Sequence, residues 1–150
     1  KAVYSSPAIR AVKTATSIAQ VKNLEVIRKE GLREINWGDF EGMQVKDINK
    51  REPNLKEKVL RNSEYRIPGG ENIVDFKNRV LDAFNNILSN HNGESIAVVG
   101  HSWTNKAILS SLNQGEWIEL HQENTAVNIL ELEDGILKSS LINCRKHLKN

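Results

Sequence analysis

The alternation of strand-like and helix-like segments predicts an α/β layered domain that ends in an antiparallel edge. Three observations carry this. Residues 95–99 (Ser-Ile-Ala-Val-Val) are a compact apolar run bounded by turns, the pattern of a buried parallel strand. Residues 71–89 place Ile73, Phe76, Val80, Phe84, Ile87 and Leu88 on one helical face. Asp134-Gly135 separates two alternating runs, 127–133 and 136–142, which is the strongest short hairpin signal a sequence offers.

The remaining elements follow in chain order. Residues 2–6 read as a short strand. Pro7 then opens a helix running to about Ala19, since proline suits a first helical position. Ile9, Val12, Ala15, Ile18 and Ala19 give that helix an apolar stripe at spacings of three and four. Residues 24–28 read as a second strand. Residues 31–42 read as a loop, with glycine at both ends, a third at Gly38, and acidic residues between. Residues 45–51 are helical in pattern, and Pro53 stops them. Pro68-Gly69-Gly70 and Asn92-Gly93 mark turns. Residues 104–112 read as a helix after the Gly100-His101-Ser102 turn.

Composition narrows the function classes. The chain has 150 residues, enough for one domain with a core of its own. Its formal net charge is +2, from 21 basic and 19 acidic residues, too small a field to argue for nucleic acid. Arg145, Lys146, His147 and Lys149 gather basic charge at the C-terminus and read as a solvated tail. The single cysteine, Cys144, excludes an internal disulfide, favours a cytoplasmic setting and reads as a structural thiol. No apolar run approaches the roughly 20 residues of a membrane span, so no membrane partner is expected. The sequence leaves the oligomeric state open, a homodimer included.

Three places could carry chemistry. Arg10 and Lys13 lie in the opening of the first helix, where free backbone donors and a partial positive charge favour an anion. A guanidinium there suits bidentate phosphate binding, although a surface arginine is the plainer account of this spacing alone. His101 stands where the strand 95–99 runs out, the side of an open α/β sheet on which ligands gather. It could equally be a satisfied histidine in a strand-to-helix turn. The loop around Glu34, Trp37, Asp39, Phe40 and Glu41 sets acids among aromatics and glycines, where a carboxyl can be held protonated for use as a general acid. It also fits an ordinary surface loop. His91, His121 and His147 form no cluster with metal-ligand spacing.

Four motifs taken in order are more specific than any one. Residues 4–15 (Tyr-Ser-Ser-Pro-Ala-Ile-Arg-Ala-Val-Lys-Thr-Ala) resemble the SSPxxRAxxTA motif of the histidine-phosphatase, or phosphoglycerate-mutase-like, superfamily. Leu32-Arg33-Glu34 with Gly38-Asp39-Phe40-Glu41-Gly42 is similar to its LxE…GxxEG loop. Pro68-Gly69-Gly70-Glu71 with Arg79 resembles its PGGES…R segment, and Val98-Val99-Gly100-His101 resembles the strand ending in its second catalytic histidine.

The resemblance implies a three-layer α/β/α sandwich on a mostly parallel sheet. It implies a phosphomonoester hydrolase or mutase-like phosphoryl transfer through a phosphohistidine, without metal or other cofactor, on a small phosphorylated substrate or inorganic phosphate. Arg10, His101 and Ser102 would bind the phosphoryl group. His101 and Glu34 would be catalytic, Glu34 as donor of a proton to the leaving oxygen. The short span between the acidic loop and Pro68 points to the phosphatase branch.

Two departures stand out. No Arg-His-Gly triplet, the family's nucleophile motif, occurs in the sequence. The expectation is therefore that the natural protein begins earlier, by a strand–helix unit of roughly 30 residues, and that the chain as given is inactive. The strand ending at His101 is expected to lack a neighbour and the fragment to fold poorly. Ser102 and Trp103 replace the glycines usual after the second histidine, so Trp103 either lines or narrows the substrate pocket. The alternative in a different class is a non-catalytic anion-binding protein on the same fold.

Overall fold

A computed structural model describes residues 1–112 and 120–148. A three-stranded parallel sheet in the order β2-β1-β3 positions the site. Its strands are β1 (Ala2–Ser5), β2 (Val26–Arg28) and β3 (Ile96–Val99). β1 is central, with Val3 beside Val26 on one flank and Ala97 on the other. Alternation divides the sheet's residues between two faces. Val3, Ala97 and Val99 pack with Ala15 and Ala19 of α1 (Ile9–Val21). Ala2, Tyr4, Ile96 and Val98 pack with Leu32 and with Ile87 of α4 (Ile73–Ser89). Helices thus cover both faces, and the architecture is an α/β/α sandwich as the resemblance implies.

α4 matches its sequence pattern closely. Ile73, Phe76, Val80, Phe84 and Ile87 are buried, and the Asn72 side chain caps the helix by accepting from the Asp75 amide. Phe76 is fully buried in the main core with Ile35, Phe40, Leu55, Val59, Ile67 and Ala107. α2 (Val45–Arg51) falls where the pattern placed it. α3 (Leu55–Arg61) had no sequence counterpart. It is a short helix whose burial rests on Leu55 and Val59 alone, too few apolar positions to form a periodic stripe.

Four expectations are corrected. The first helix starts at Ile9, with Ala8 as its cap, so Pro7 lies outside it. Its buried face is Ala11, Ala15 and Ala19, whereas Ile9 is 76% exposed and Ile18 39%. Alanines at a spacing of four let the helix axis approach the sheet, and a stripe of larger residues would hold it off. The strand that ends at His101 does have a neighbour: β3 runs parallel to β1 from Ala2–Ile96 to Ser5–Val99. Every residue of β3 is nevertheless only half-buried, because β1 is its single strand partner among the described residues. Finally, β4 (Val127–Glu133) and β5 (Ile136–Cys144) form the expected hairpin, but as a separate two-stranded sheet. Asp134 and Gly135 both have positive φ, 51° and 77°, as the tight turn requires.

Lys146–Leu148 forms one 3₁₀ turn, Arg145 pairs with Glu123 at 3.4 Å, and Lys149 lies outside the described residues. No helix among the described residues is long and apolar enough to cross a membrane.

Candidate active site

The site is assembled at the carboxyl ends of β1 and β3. β1 runs into Ser5-Ser6-Pro7, and both serines are buried. The Ser6 amide donates to the Val99 carbonyl at 2.9 Å, tying the two strand ends together. The Ser6 hydroxyl accepts from the Ala8 amide at 3.3 Å and lies 2.8 Å from His101 Nε2. The Ser-Ser-Pro turn therefore performs two tasks. It starts α1, which carries Arg10 in its first turn, and it fixes the imidazole.

His101 is the N-cap residue of α5 (Ser102–Ser110). It is half-buried, and its pKa is lowered to about 4, first by burial and then by the charges of Arg10 and Arg33. It is therefore neutral near pH 7, a hydrogen-bonding group and not a cation. Gly100 before it permits the turn to close, since a Cβ there would stand 3.0 Å from Thr104 Cγ2.

Glu34 lies at the start of the same helix. Its carboxylate accepts from the amides of Trp103 (3.1 Å), Thr104 (3.2 Å) and Ile35 (3.2 Å). The Thr104 hydroxyl in turn donates to the carbonyls of Leu32 and Arg33. Burial pushes the Glu34 carboxyl above the usual range. The three amide bonds and the Arg10 charge pull the other way without cancelling it. A carboxyl whose pKa is raised, with its hydrogen-bonding edge fixed, is the raw material of a general acid.

Arg10 is exposed at the opening of α1, and its charge bears on both Glu34 and His101. The structure thus brings these three together. Lys13, one turn on, is exposed and lines a surface depression along α1 with Pro7, Ile9 and Val12. A second depression lies against α3. Neither includes Arg10, Glu34 or His101.

Ser102 turns its hydroxyl to the Gln122 carbonyl at 3.3 Å. Trp103 packs edge-to-face on Trp37, ring centroids 5.4 Å apart, beside the Glu34 carboxylate. The other histidines are elsewhere. His91 is held between Tyr4 Oη (2.8 Å) and Glu94 (2.9 Å), His121 pairs with Glu123, and His147 is exposed in the last turn. Among the described residues no cluster of three or more His, Cys, Asp or Glu could hold a metal ion.

Sequence reasoning missed Ser6, Thr104, Glu71 and Arg79 as parts of this arrangement. Ser6, Glu71 and Arg79 were within the quoted motifs, so the motif order contained the signal even though no role could be assigned.

The comparisons place this geometry in a family. The model described as histidine phosphatase superfamily (branch 1) matches residues 1–145, and the chain belongs to that superfamily. It is similar to a metal-independent phosphoserine phosphatase of Arabidopsis thaliana, 32% identical over 140 residues, covering 89% of this chain and 57% of the relative. It is similar also to a bifunctional protein of Mycobacterium tuberculosis, 31% identical over 146 residues, covering 95% of this chain but 40% of that protein. The chain therefore spans well under two thirds of these relatives' lengths. Among solved structures, YhfR of Bacillus stearothermophilus superposes with a TM-score of 0.90 at 25% identity, covering 99% of this chain and 76% of that one. A mycobacterial glucosyl-3-phosphoglycerate phosphatase in complex with inorganic phosphate shares the fold, with a TM-score of 0.82 at 21% identity, covering 95% of this chain and 76% of that one.

Proposed function

We propose that the protein acts on small phosphomonoesters without a metal, with Arg10 and His101 holding the phosphoryl group and Glu34 protonating the leaving oxygen. The observation that carries this reading is geometric: Ser6, in the turn that opens the helix of Arg10, lies 2.8 Å from His101 Nε2, and the half-buried Glu34 carboxylate accepts from the Trp103 and Thr104 amides of the helix that His101 caps. The similarity to phosphoserine phosphatases supports a small phosphorylated substrate.

The division of labour follows from the groups. The guanidinium offers a planar fork to two phosphoryl oxygens and stabilises charge as it shifts onto them. His101 supplies a neutral ring nitrogen. As an attacking nucleophile forms its bond to phosphorus and the ester P–O bond breaks, Glu34 delivers its proton to the departing oxygen, and the α5 amides stabilise the carboxylate left behind. Nucleophilic attack belongs to none of these three, and His91, His121 and His147 are placed away from them. On this reading, residues 1–150 by themselves bind phosphate and hold the proton donor, and turnover of a phosphomonoester requires a nucleophile in addition to them.

The test is phosphate titration by calorimetry of the wild type, Arg10→Ala and Lys13→Ala, beside a phosphatase assay. A hydrogen bond to a charged group contributes on the order of 1.5–3 kcal/mol, so Arg10→Ala should weaken binding by roughly tenfold or more. Lys13→Ala should change it little. Equal, negligible losses would overturn the reading. Turnover by this chain would overturn the reading that none of its histidines attacks, and a phosphoryl group trapped on His101 would make that ring the attacking group.

A further inference from the structure

The Pro-Gly-Gly-Glu stretch and Arg79 have no part in the chemistry just proposed, yet Glu71 and Arg79 make a dense polar network. Arg79 projects from α4 with its guanidinium 5.2 Å from the centroid of Phe76. Its Nε and Nη2 donate to the two carboxylate oxygens of Glu71, both at 2.8 Å. Its Nη1 donates to the carbonyls of Gly31 (2.9 Å) and Arg33 (3.2 Å), and Nη2 also reaches the Glu34 carbonyl at 3.5 Å. Glu71 in turn accepts from the Asn36 amide at 2.9 Å. One ion pair therefore grips the backbone at residues 31, 33, 34 and 36, on both sides of Glu34.

The opposite edge of the same turn is gripped by α5. The Thr104 hydroxyl donates to the Leu32 and Arg33 carbonyls, and the Trp103 and Thr104 amides hold the Glu34 carboxylate. Between these two grips the turn has little freedom. The geometry points to Arg79 and Glu71 as a positioning pair that seats the Glu34 carboxyl on the first turn of α5, beside His101. This inference rests on the reading of Glu34 as the proton donor and names what keeps that donor in place.

The residue types fit the task. Only arginine has enough donors, fixed in one plane, to serve a bidentate carboxylate and several carbonyls together. A lysine at this position keeps the charge and loses the fork. Arg79 is bonded to the backbone on both sides of Glu34, while the charges of Arg10 and Lys106 bear on the carboxyl itself. Glu71 stays ionised because the bonds from Arg79 and the Asn36 amide outweigh the burial that would raise its pKa.

The experiment is nuclear magnetic resonance on the full chain, labelled with ¹³C and ¹⁵N. It follows the Glu34 side-chain carboxyl and the Trp103 and Thr104 amides through an acid titration. In the wild type the two amides should shift together with Glu34, at a midpoint above the ordinary carboxylate range. In Arg79→Lys, judged folded by unchanged core methyl resonances, the midpoint should fall towards the ordinary range, and most of the coupled amide shift should disappear. Arg61→Lys alters an exposed ion pair to Glu57 on α3, outside this network, and should change neither. If Arg79→Lys does not fold, Glu71→Gln keeps the volume and one acceptor and is read in the same way.

An unchanged Glu34 midpoint with intact amide coupling in a folded variant would overturn the inference. Inorganic phosphate added to the same samples separates this from the function itself. Phosphate that leaves the Arg10 and His101 resonances of the wild type unmoved overturns the proposed function. Phosphate that moves them in every variant, with Glu34 indifferent to Arg79, overturns only the positioning pair.

Discussion

The turn that carries Glu34 and the β4–β5 hairpin are opposites. The turn, residues 30–41, is irregular, with only two single 3₁₀ turns, yet Leu32, Ile35 and Phe40 are all at most 4% exposed. It interlocks with the Pro68-Gly69-Gly70 turn backbone against backbone. The Asp39 amide donates to the Pro68 carbonyl, and the Glu71 amide to that of Asn36. The hairpin is regular, with seven- and nine-residue strands, yet Val127, Ile129, Leu132 and Ile136 are 44–59% exposed. Its tie to the main core includes Leu130 and Leu137. Regular hydrogen bonding alone does not make a region rigid. An isolated two-stranded sheet is marginal in water, whereas a loop becomes rigid when its backbone groups are satisfied by distant elements.

The largest expected break in this comparison comes from one methyl group. Gly38 has φ +54°, and a Cβ there would stand 2.1 Å from the Pro68 carbonyl oxygen and 2.4 Å from the Gly70 nitrogen. Both neighbours are backbone and cannot swing aside. Gly38→Ala should cost about 3 kcal/mol or more, combining left-handed strain with overlap, as read by urea unfolding.

A middling effect should appear with pH, and at the site end of the molecule. The folded chain holds the His101 pKa near 4, against 6.5 for the free side chain. Above pH 6.5 the ring is neutral in both states and contributes nothing. As pH falls from 6.5 towards 4, the unfolded chain takes up a proton that the folded chain refuses, so stability falls. Below about pH 4 both states are protonated and the loss levels off. His101 is only half-buried, so the loss should be on the order of 1–2 kcal/mol, less than a fully buried group would give. His101→Gln should flatten this segment of the stability–pH curve. Glu34 works with the opposite sign: its raised pKa lowers stability as pH rises from 4.5 through its folded value, and Glu34→Gln should remove that slope.

The smallest effect belongs to the hairpin. Gly135 has φ +77°, but nothing lies within 4 Å of a Cβ built on it. Gly135→Ala should therefore cost only the conformational term, about 1 kcal/mol. Equal costs at Gly38 and Gly135 would show that the interlock around Glu34 adds nothing beyond the strain of a positive φ.

The sequence by itself determined what local pattern can encode. The face of α4 was legible because its apolar residues repeat with the helical period. The hairpin was legible because Asp134-Gly135 meets a demand made within four residues. The order of the four motifs identified the superfamily, and the resemblance singled out Arg10, Glu34 and His101 as candidates. Tertiary structure decided the rest. Nothing in the first helix announces that the sheet would take the Ala11, Ala15 and Ala19 face over the larger residues beside it. That choice is set by how closely the helix must approach β1. Nor does local pattern join Ser6 to His101, 95 positions apart, or Arg79 to the carbonyls of Gly31, Arg33 and Glu34. These are hydrogen bonds between segments distant in the chain, with no periodicity to betray them. They exist because buried carbonyls must find donors, and folding brought these donors within reach.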